Sequence, residues 1–421
     1  MGSRKIAIVG AGPIGLEAAL QARQLGFEVA VYEAGAVGEH FRRYGPMRLF
    51  TPFAMNSTDS GRRRLCETGV DVPPDDAMLT AEEFRGRYLL PLSRLPELEG
   101  SIAEKTRVTA IGREGLRKSQ AIAATGNHTR EGRPFLLRVD SSAAGTRFER
   151  ADIVLDASGV YDNPSATGPG GLPAAGEELL GDRLEQHLPA IMGEARARFA
   201  GKRVLLIGDA RSAENALVDL DALIRAGGEG ARTRVAWVHR DRGGLFFAPV
   251  PDEELRRLPL LRDLHGRAQA IALEAAWLER YPGAVIASYR VLPSGAVLVA
   301  LRNAEGREWT VEVDRVLALV GYRPDTALYR ELQIHLCYAS EGPMALATAV
   351  LSASLQDPGS GGGCLSQTPH GPETLKSPEP DFYILGAKSY GRNPNFLLAL
   401  GHRQIADLFA MIPGCEAFAR E

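Results

Sequence analysis

KIAIVGAGPIGLEAALQARQLGFEVAVYE, running from Lys5 to Glu33, is the stretch that decides the fold. It opens on Ile6-Ala7-Ile8-Val9, a short apolar run rich in β-branched residues, as expected of a strand buried in a parallel sheet. Gly10-x-Gly12-x-x-Gly15 follows, then a helical run from Leu16 to Leu25 that Gly26 stops. A second strand, Glu28 to Tyr32, ends on Glu33. Strand, glycines, helix, strand and acid in this order form a dinucleotide-binding fingerprint in its proper context. Gly10 permits the tight turn, Gly12 lets the backbone approach a pyrophosphate, and Gly15 lets the helix pack closely on the strand. Pro13 and Ile14 sit at the helix N-terminus, where unpaired N–H groups favour phosphate. Glu33, with Ala34 beside it, is placed to accept hydrogen bonds from a ribose.

The pattern returns once. Val204 to Ile207 reads as a strand, Gly208-Asp209-Ala210-Arg211-Ser212-Ala213 as a turn, Glu214 to Ala226 as a helix, and Arg234 to Val238 as the next strand. The architecture is therefore internally duplicated. Ala210 stands where the second glycine belongs, so a pyrophosphate must lie slightly further out here, with Arg211 adding charge. The second strand ends in His239-Arg240-Asp241-Arg242. Cations at this point suit a 2′-phosphate where an acid would suit a free hydroxyl, so this unit reads as a site for NADPH. Gly208, Arg211, Ser212, His239, Arg240 and Gly321 are its candidate contacts.

Each unit also has a returning apolar strand that breaks at glycine. One is Ile153-Val154-Leu155-Asp156-Ala157-Ser158-Gly159; the other is Val311 to Val320 followed by Gly321-Tyr322-Arg323-Pro324-Asp325. Two dinucleotide units in one chain argue for electron transfer between a held cofactor and a diffusible one, with FAD and NADPH the natural pair.

Composition narrows the class. The 421 residues suffice for two or three domains, and 45% apolar with 24% charged residues describes an ordinary globular protein. The net charge of −3 gives no basic field for nucleic acid. No apolar run reaches the ~18 residues of a membrane helix, and the chain enters its first strand without a signal peptide. Cys66, Cys337, Cys364 and Cys415 are far apart, with no C-x-x-C and no metal-ligand spacing, which fits a reducing cytoplasm.

Elsewhere, residues 80–105 and 252–281 read as helical, and Val285 to Leu301 as a hairpin turning at Pro293-Ser294-Gly295. Residues 354–380 form a long loop rich in Gly and Pro. Phe382 to Leu385 is a strand that leads into Gly386. Asn393-Pro394 reads as a helix start, which would aim a helix dipole, with Asn395 and Arg392 beside it, at a flavin. Asn56 is either a polar group beside that flavin or a cap for its own loop.

These motifs resemble the two-dinucleotide-domain flavoproteins, a group that includes thioredoxin reductases and the class B flavin monooxygenases. The resemblance rests on Gly10-x-Gly12-x-x-Gly15 with Glu33, on Ala157-Ser158-Gly159, and on Val320-Gly321-Tyr322-Arg323-Pro324. It implies an α/β fold with two Rossmann-like, three-layer dinucleotide-binding domains, the NADPH domain inserted into the FAD domain. The implied bounds are 1–165 and 340–421 for the FAD domain and 166–339 for the NADPH domain. Gly10, Gly12, Pro13, Ile14, Gly15, Glu33, Ala34, Arg42, Ser158, Gly159, Gly386 and Asn395 would then contact FAD. Phe199 to Val204 with Gly208-x-Ala210-x-Ser212-Ala213, and Gly38 with Phe41-Arg42, resemble the monooxygenase branch. Its F-x-G-x-x-x-H hallmark is replaced here by Gly181-Asp182-Arg183-Leu184-Glu185-Gln186-His187. The resemblance implies a monooxygenase: hydride passes from NADPH to flavin N5, O2 reacts at C4a, and a small molecule is oxygenated, with Asn56 and Arg392 as candidate catalytic residues. The alternatives are a reductase of a thiol, quinone or carrier protein, and a redox-sensing module without turnover.

Overall fold

The computed structural model describes residues 3–122, 128–356, 365 and 369–412. The chain forms two compact units, Met1–Asn163 with Arg323–Glu421, and Pro164–Tyr322. The second interrupts the first. The expected return to the first unit at 339/340 comes too late, because residues 323–339 already belong to it. Leu328, Tyr329 and Leu332 are packed among Val108, Ile111, Phe135 and Leu137 in that unit's core.

The first unit is built on a parallel sheet of five strands in the order Phe382–Ile384, Ile153–Asp156, Lys5–Val9, Glu28–Tyr32, Ile102–Ala103. Side chains alternate across a strand, so one strand feeds two cores. Ile6 and Ile8 pack against Leu16, Ala19 and Leu20 of the helix Pro13–Gln24 and against Ile405 and Leu408 of the helix Leu398–Met411. Ala7 and Val9 face Val108, Ile111, Leu137 and Val139. These belong to an antiparallel sheet of Thr106–Arg113, Phe135–Ser141 and Gly145–Ala151. The unit therefore has three layers. Ile6 and Ile8 are fully buried, each worth about 1.5–3 kcal/mol of removed apolar surface.

The helical reading of residues 80–105 holds only for its first half. Thr80 caps a helix from Ala81 with a reciprocal bond to Glu83. The helix widens to a π turn over Arg85–Leu89 just before Pro91, whose ring excludes the normal turn geometry. It stops at Ser93, and Ile102–Ala103 is the sheet's edge strand. The helix expected at Asn393-Pro394 begins instead at Leu398. Asn393 Oδ1 accepts the Asn395 N–H at 3.0 Å, so its capping chemistry is spent on a local turn. Of the long loop, residues 357–364 and 366–368 lie outside the described residues, as does Cys364. The helix Met344–Gln356 enters the loop, and Pro372–Leu375 forms a short turn near its end.

The second unit repeats the plan. Its parallel strands lie in the order Leu278–Pro282, Arg234–His239, Arg203–Ile207, Arg315–Ala318, Leu184–Glu185. Leu205, Ile207, Ala236 and Val238 face an antiparallel sheet of Val285–Val291, Val297–Arg302 and Glu308–Val313. Val204, Leu206 and Trp237 are buried on the opposite face. The helices Arg211–Arg225 and Pro259–Glu274 pack on one another. Residues expected to be helical through 281 give way at Glu274 to the strand Leu278–Pro282.

Candidate functional site

In each unit the first glycine of the turn is pressed against the returning turn. A Cβ on Gly10 would lie 2.8 Å from the Ala157 carbonyl oxygen, and one on Gly208 would lie 2.4 Å from that of Leu319. Gly15 is tighter still, since a Cβ there would sit 2.0 Å from the Gly10 oxygen. Gly12 is the opposite case: a Cβ there would meet no protein atom within 4 Å. The space beside it belongs to a cavity of about 350 Å³, a size typical of ligand sites.

That cavity lies wholly in the first unit. Gly10, Gly12, Pro13, Ile14, Glu33, Ala34, Ser158, Gly159 and Gly386 all line it. Gly15 lies behind the turn as a packing residue. The Glu33 carboxylate accepts the Ala11 and Gly35 N–H groups, each at 2.8 Å, which fixes it at the cavity wall. Arg42 and Asn395 are not among the lining residues; Arg42 pairs with Glu39 on the surface. Asn56 is turned into its own loop. Its Nδ2 donates to the Thr51 and Pro52 carbonyls and its Oδ1 accepts from the Thr51 hydroxyl, so the loop-capping reading describes it. Arg392 pairs with Glu341, which also holds Arg323.

The sequence reading missed an ion pair at the cavity. Lys388 Nζ lies 2.7 Å from Asp156 Oδ2, both side chains almost fully buried, and donates to Ser158 Oγ at 3.0 Å. Ser158 donates from its hydroxyl to Asp156 Oδ1 at 2.6 Å. The Tyr329 ring lies 5.2 Å from the ammonium. Ser158 is thus oriented from two sides. The signal was an acid that ends an apolar strand immediately before Ala157-Ser158-Gly159 and a lysine two residues after Gly386, in the turn that follows the strand Phe382–Ile384. His40, Tyr161 and Asp162 also line the cavity. His40 and Arg43 hold the Asp162 carboxyl well below its usual range.

In the second unit the helix Arg211–Arg225 follows the turn directly. Arg211 is tied back to Glu214 Oε2 and to the Ala248 carbonyl, both at 2.7 Å. His265 Nδ1 lies 2.7 Å from the other Glu214 oxygen, and burial pushes this carboxyl up. Ser212 sits at the helix N-terminus beside Arg211. His239 is buried, its ring 4.3 Å from that of Trp237, and burial lowers its pKa. Gly321 has φ +85 and its carbonyl accepts the Ser165 N–H. Arg240 and Arg242 converge on Asp209, which the sequence reading left unassigned.

Residues 7–116 match the family described as pyridine nucleotide-disulphide oxidoreductase. No curated protein matches the sequence. Among solved structures, bacillithiol disulfide reductase from Bacillus cereus is similar over 96% of this chain and 97% of its own, with a TM-score of 0.67 and 16% identity. The FAD-bound cadaverine monooxygenase of desferrioxamine biosynthesis from Erwinia amylovora is similar over 98% and 95%, with a TM-score of 0.61 and 13% identity. Thioredoxin reductase from T. acidophilum is similar over 99% and 97%, with a TM-score of 0.53 and 15% identity. The chain has the two-domain Rossmann fold that these oxidoreductases share, reductases and monooxygenases alike. None of its described helices is long and apolar enough to cross a membrane.

Proposed function

We propose that this chain is an NADPH-dependent FAD oxidoreductase that passes its electrons to O2 and oxygenates a small molecule. The observation that carries the flavin part is the empty space beside Gly12, in a cavity lined by the fingerprint turn, by Glu33 and by the returning turn. The residues fit the group. Gly12 and Ile14 would meet the pyrophosphate with backbone N–H groups, Glu33 would accept from the ribose, and Ser158, Gly386 and Lys388 would line the remainder. FAD, when bound, supplies the hydride-accepting and oxygen-reacting chemistry. The protein orients it, holds its charge and excludes water. Lys388, fixed by Asp156, places a buried positive charge at this wall. The second unit would bind NADPH through the turn at Gly208 and the cations at Arg240 and Arg242.

The choice of O2 as acceptor is supported by the sequence, which has no C-x-x-C pair, and by the monooxygenase-like second turn. A second reading, reduction of a disulfide, is favoured by the likeness to bacillithiol disulfide reductase. One experiment separates them. Purified protein is reduced with NADPH under anaerobic conditions, then mixed with air, a disulfide or a quinone while its absorbance is followed. Fast reoxidation by air, with a transient band before the oxidised spectrum returns, supports the monooxygenase. Indifference to air with fast reoxidation by a disulfide supports the reductase.

A further inference from the structure

Asp209 is the second residue of the Gly208 turn and is 3% exposed. Its two oxygens take three N–H groups from two arginines. Arg240 donates from Nε at 2.9 Å and from Nη2 at 2.6 Å, and Arg242 from Nε at 2.7 Å. Burial raises the Asp209 carboxyl, but the two guanidiniums outweigh it and hold the group below its ordinary range. The arginines remain open to solvent, Arg240 at 69% and Arg242 at 24% of their side-chain surface. A guanidinium carries five N–H donors in a rigid fork. Arg240 spends one edge on Asp209 and Arg242 only its Nε, so each brings further N–H groups to the end of the second strand.

A carboxylate in this turn is costly for any dinucleotide. The helix N-terminus that follows favours a diphosphate. An uncompensated Asp209 charge would oppose it. The arginines cancel that charge, and the carboxylate in return fixes two long side chains that would otherwise lose rotamer freedom on binding.

We propose that Asp209 is the positioning residue that gives the second unit its preference for a 2′-phosphorylated dinucleotide, by pinning Arg240 and Arg242 while they neutralise it. This rests on the NADPH reading of that unit. Asp209→Asn unpins the arginines, so NADPH binding weakens while NADH binding stays the same or tightens. The ratio of the NADH to the NADPH dissociation constant should fall roughly tenfold, the worth of ordering two long side chains. Arg240→Ala leaves the buried carboxylate with one partner, so NADH binding weakens as well. Adding Asp209→Asn to Arg240→Ala should restore NADH binding but not NADPH binding.

The test is calorimetric titration of the full chain with NADPH and with NADH, without turnover. It uses wild type, Asp209→Asn, Asp209→Glu, Arg240→Ala and the double variant. Asp209→Glu keeps the charge but displaces the arginines, and it carries the test if Asp209→Asn does not fold. A tenfold fall in the ratio for either Asp209 variant, with NADH binding recovered in the double variant, supports the proposal. A ratio within twofold of wild type in both Asp209 variants overturns it and leaves the NADPH reading standing. Wild type that binds neither nucleotide overturns the NADPH reading, and the proposal with it.

Discussion

Glu379 and Asp209 each hold two arginines, one acid in each unit, and burial of the arginines separates their roles. Glu379 pairs with Arg113 and Arg130, and all three side chains are at most 1% exposed. Arg113 also donates to the Arg133 and Pro380 carbonyls, Arg130 to those of Arg117 and Gln120, and Glu379 accepts the Gln333 N–H. That cluster clamps four stretches of the first unit together and turns nothing toward solvent. Asp209 makes the same ion pairs but leaves Arg240 and Arg242 at the surface. One acid with two arginines is a structural clamp in the first case and, on the proposal made above, a ligand-facing fork in the second.

The largest effect should come from breaking the clamp. Glu379→Gln leaves two buried guanidiniums short of their counter-charge and should lower the unfolding free energy by about 3–5 kcal/mol. Asp209→Asn releases its arginines into water and should cost about 1 kcal/mol or less. Urea unfolding of both variants decides this; equal losses would erase the distinction between the two clusters.

The turns sharpen the comparison next. Gly15→Ala must displace the Gly10 carbonyl and should cost about 2–3 kcal/mol of stability. The corresponding Ala213 is fully buried and already carries a Cβ. Ala213→Gly should cost only about 1 kcal/mol, through helix propensity. Thermal unfolding that ranks the two the other way would show that the second turn is the tighter.

Arg240→Ala tests the ligand-facing fork. A guanidinium on a phosphate is worth about 1.5–3 kcal/mol, so the NADPH dissociation constant should rise about tenfold to a hundredfold. An unchanged value in a fluorescence titration would make Arg240 a surface residue only.

The smallest effect concerns a carboxylate that arginine serves poorly. Burial raises Asp219 to about 6, and Arg267 offsets this only in part. The folded state therefore holds this proton more tightly than the unfolded chain. Stability falls as pH rises from about 4 to about 6, and the loss persists above that range. Asp219→Asn should be more stable than wild type by about 1–2 kcal/mol at pH 8, with the difference gone near pH 4. Unfolding curves at the two pH values measure it.

Backbone demands were the legible part of this molecule. A strand, a tight turn and a helix require particular residues at fixed spacing, so the Gly10 and Gly208 turns could be read from the sequence, while the insertion of one unit in the other was implied only by the resemblance to two-dinucleotide-domain flavoproteins. Boundaries were less legible. Residues 323–339 contain the apolar Leu328, Tyr329 and Leu332, but nothing local says which core they join. Asn393-Pro394 has the composition of a helix cap, and only the turn made by Asn393 Oδ1 moves the start to Leu398. Side-chain pairs between distant segments were not legible. Lys388 meets Asp156 because neighbouring parallel strands, Phe382–Ile384 and Ile153–Asp156, end side by side. The arginines of the HRDR stretch were visible, but not the acid in the preceding turn that holds them.

The insertion also sets an order of assembly during synthesis. Pro164–Tyr322 is one continuous piece of chain. The first unit lacks an edge strand of its sheet until Phe382–Ile384 leaves the ribosome, and part of its cavity wall until Gly386–Lys388 does. The half that is begun first is therefore finished last. Its strand Ile153–Asp156 waits with one side unpaired while the inserted unit folds, a period open to mispairing with other chains. A ribosome that stalls before Phe382 would release a complete second unit tethered to an unfinished first one. Retention of a ligand in the first cavity would then report that the chain had been translated past Lys388.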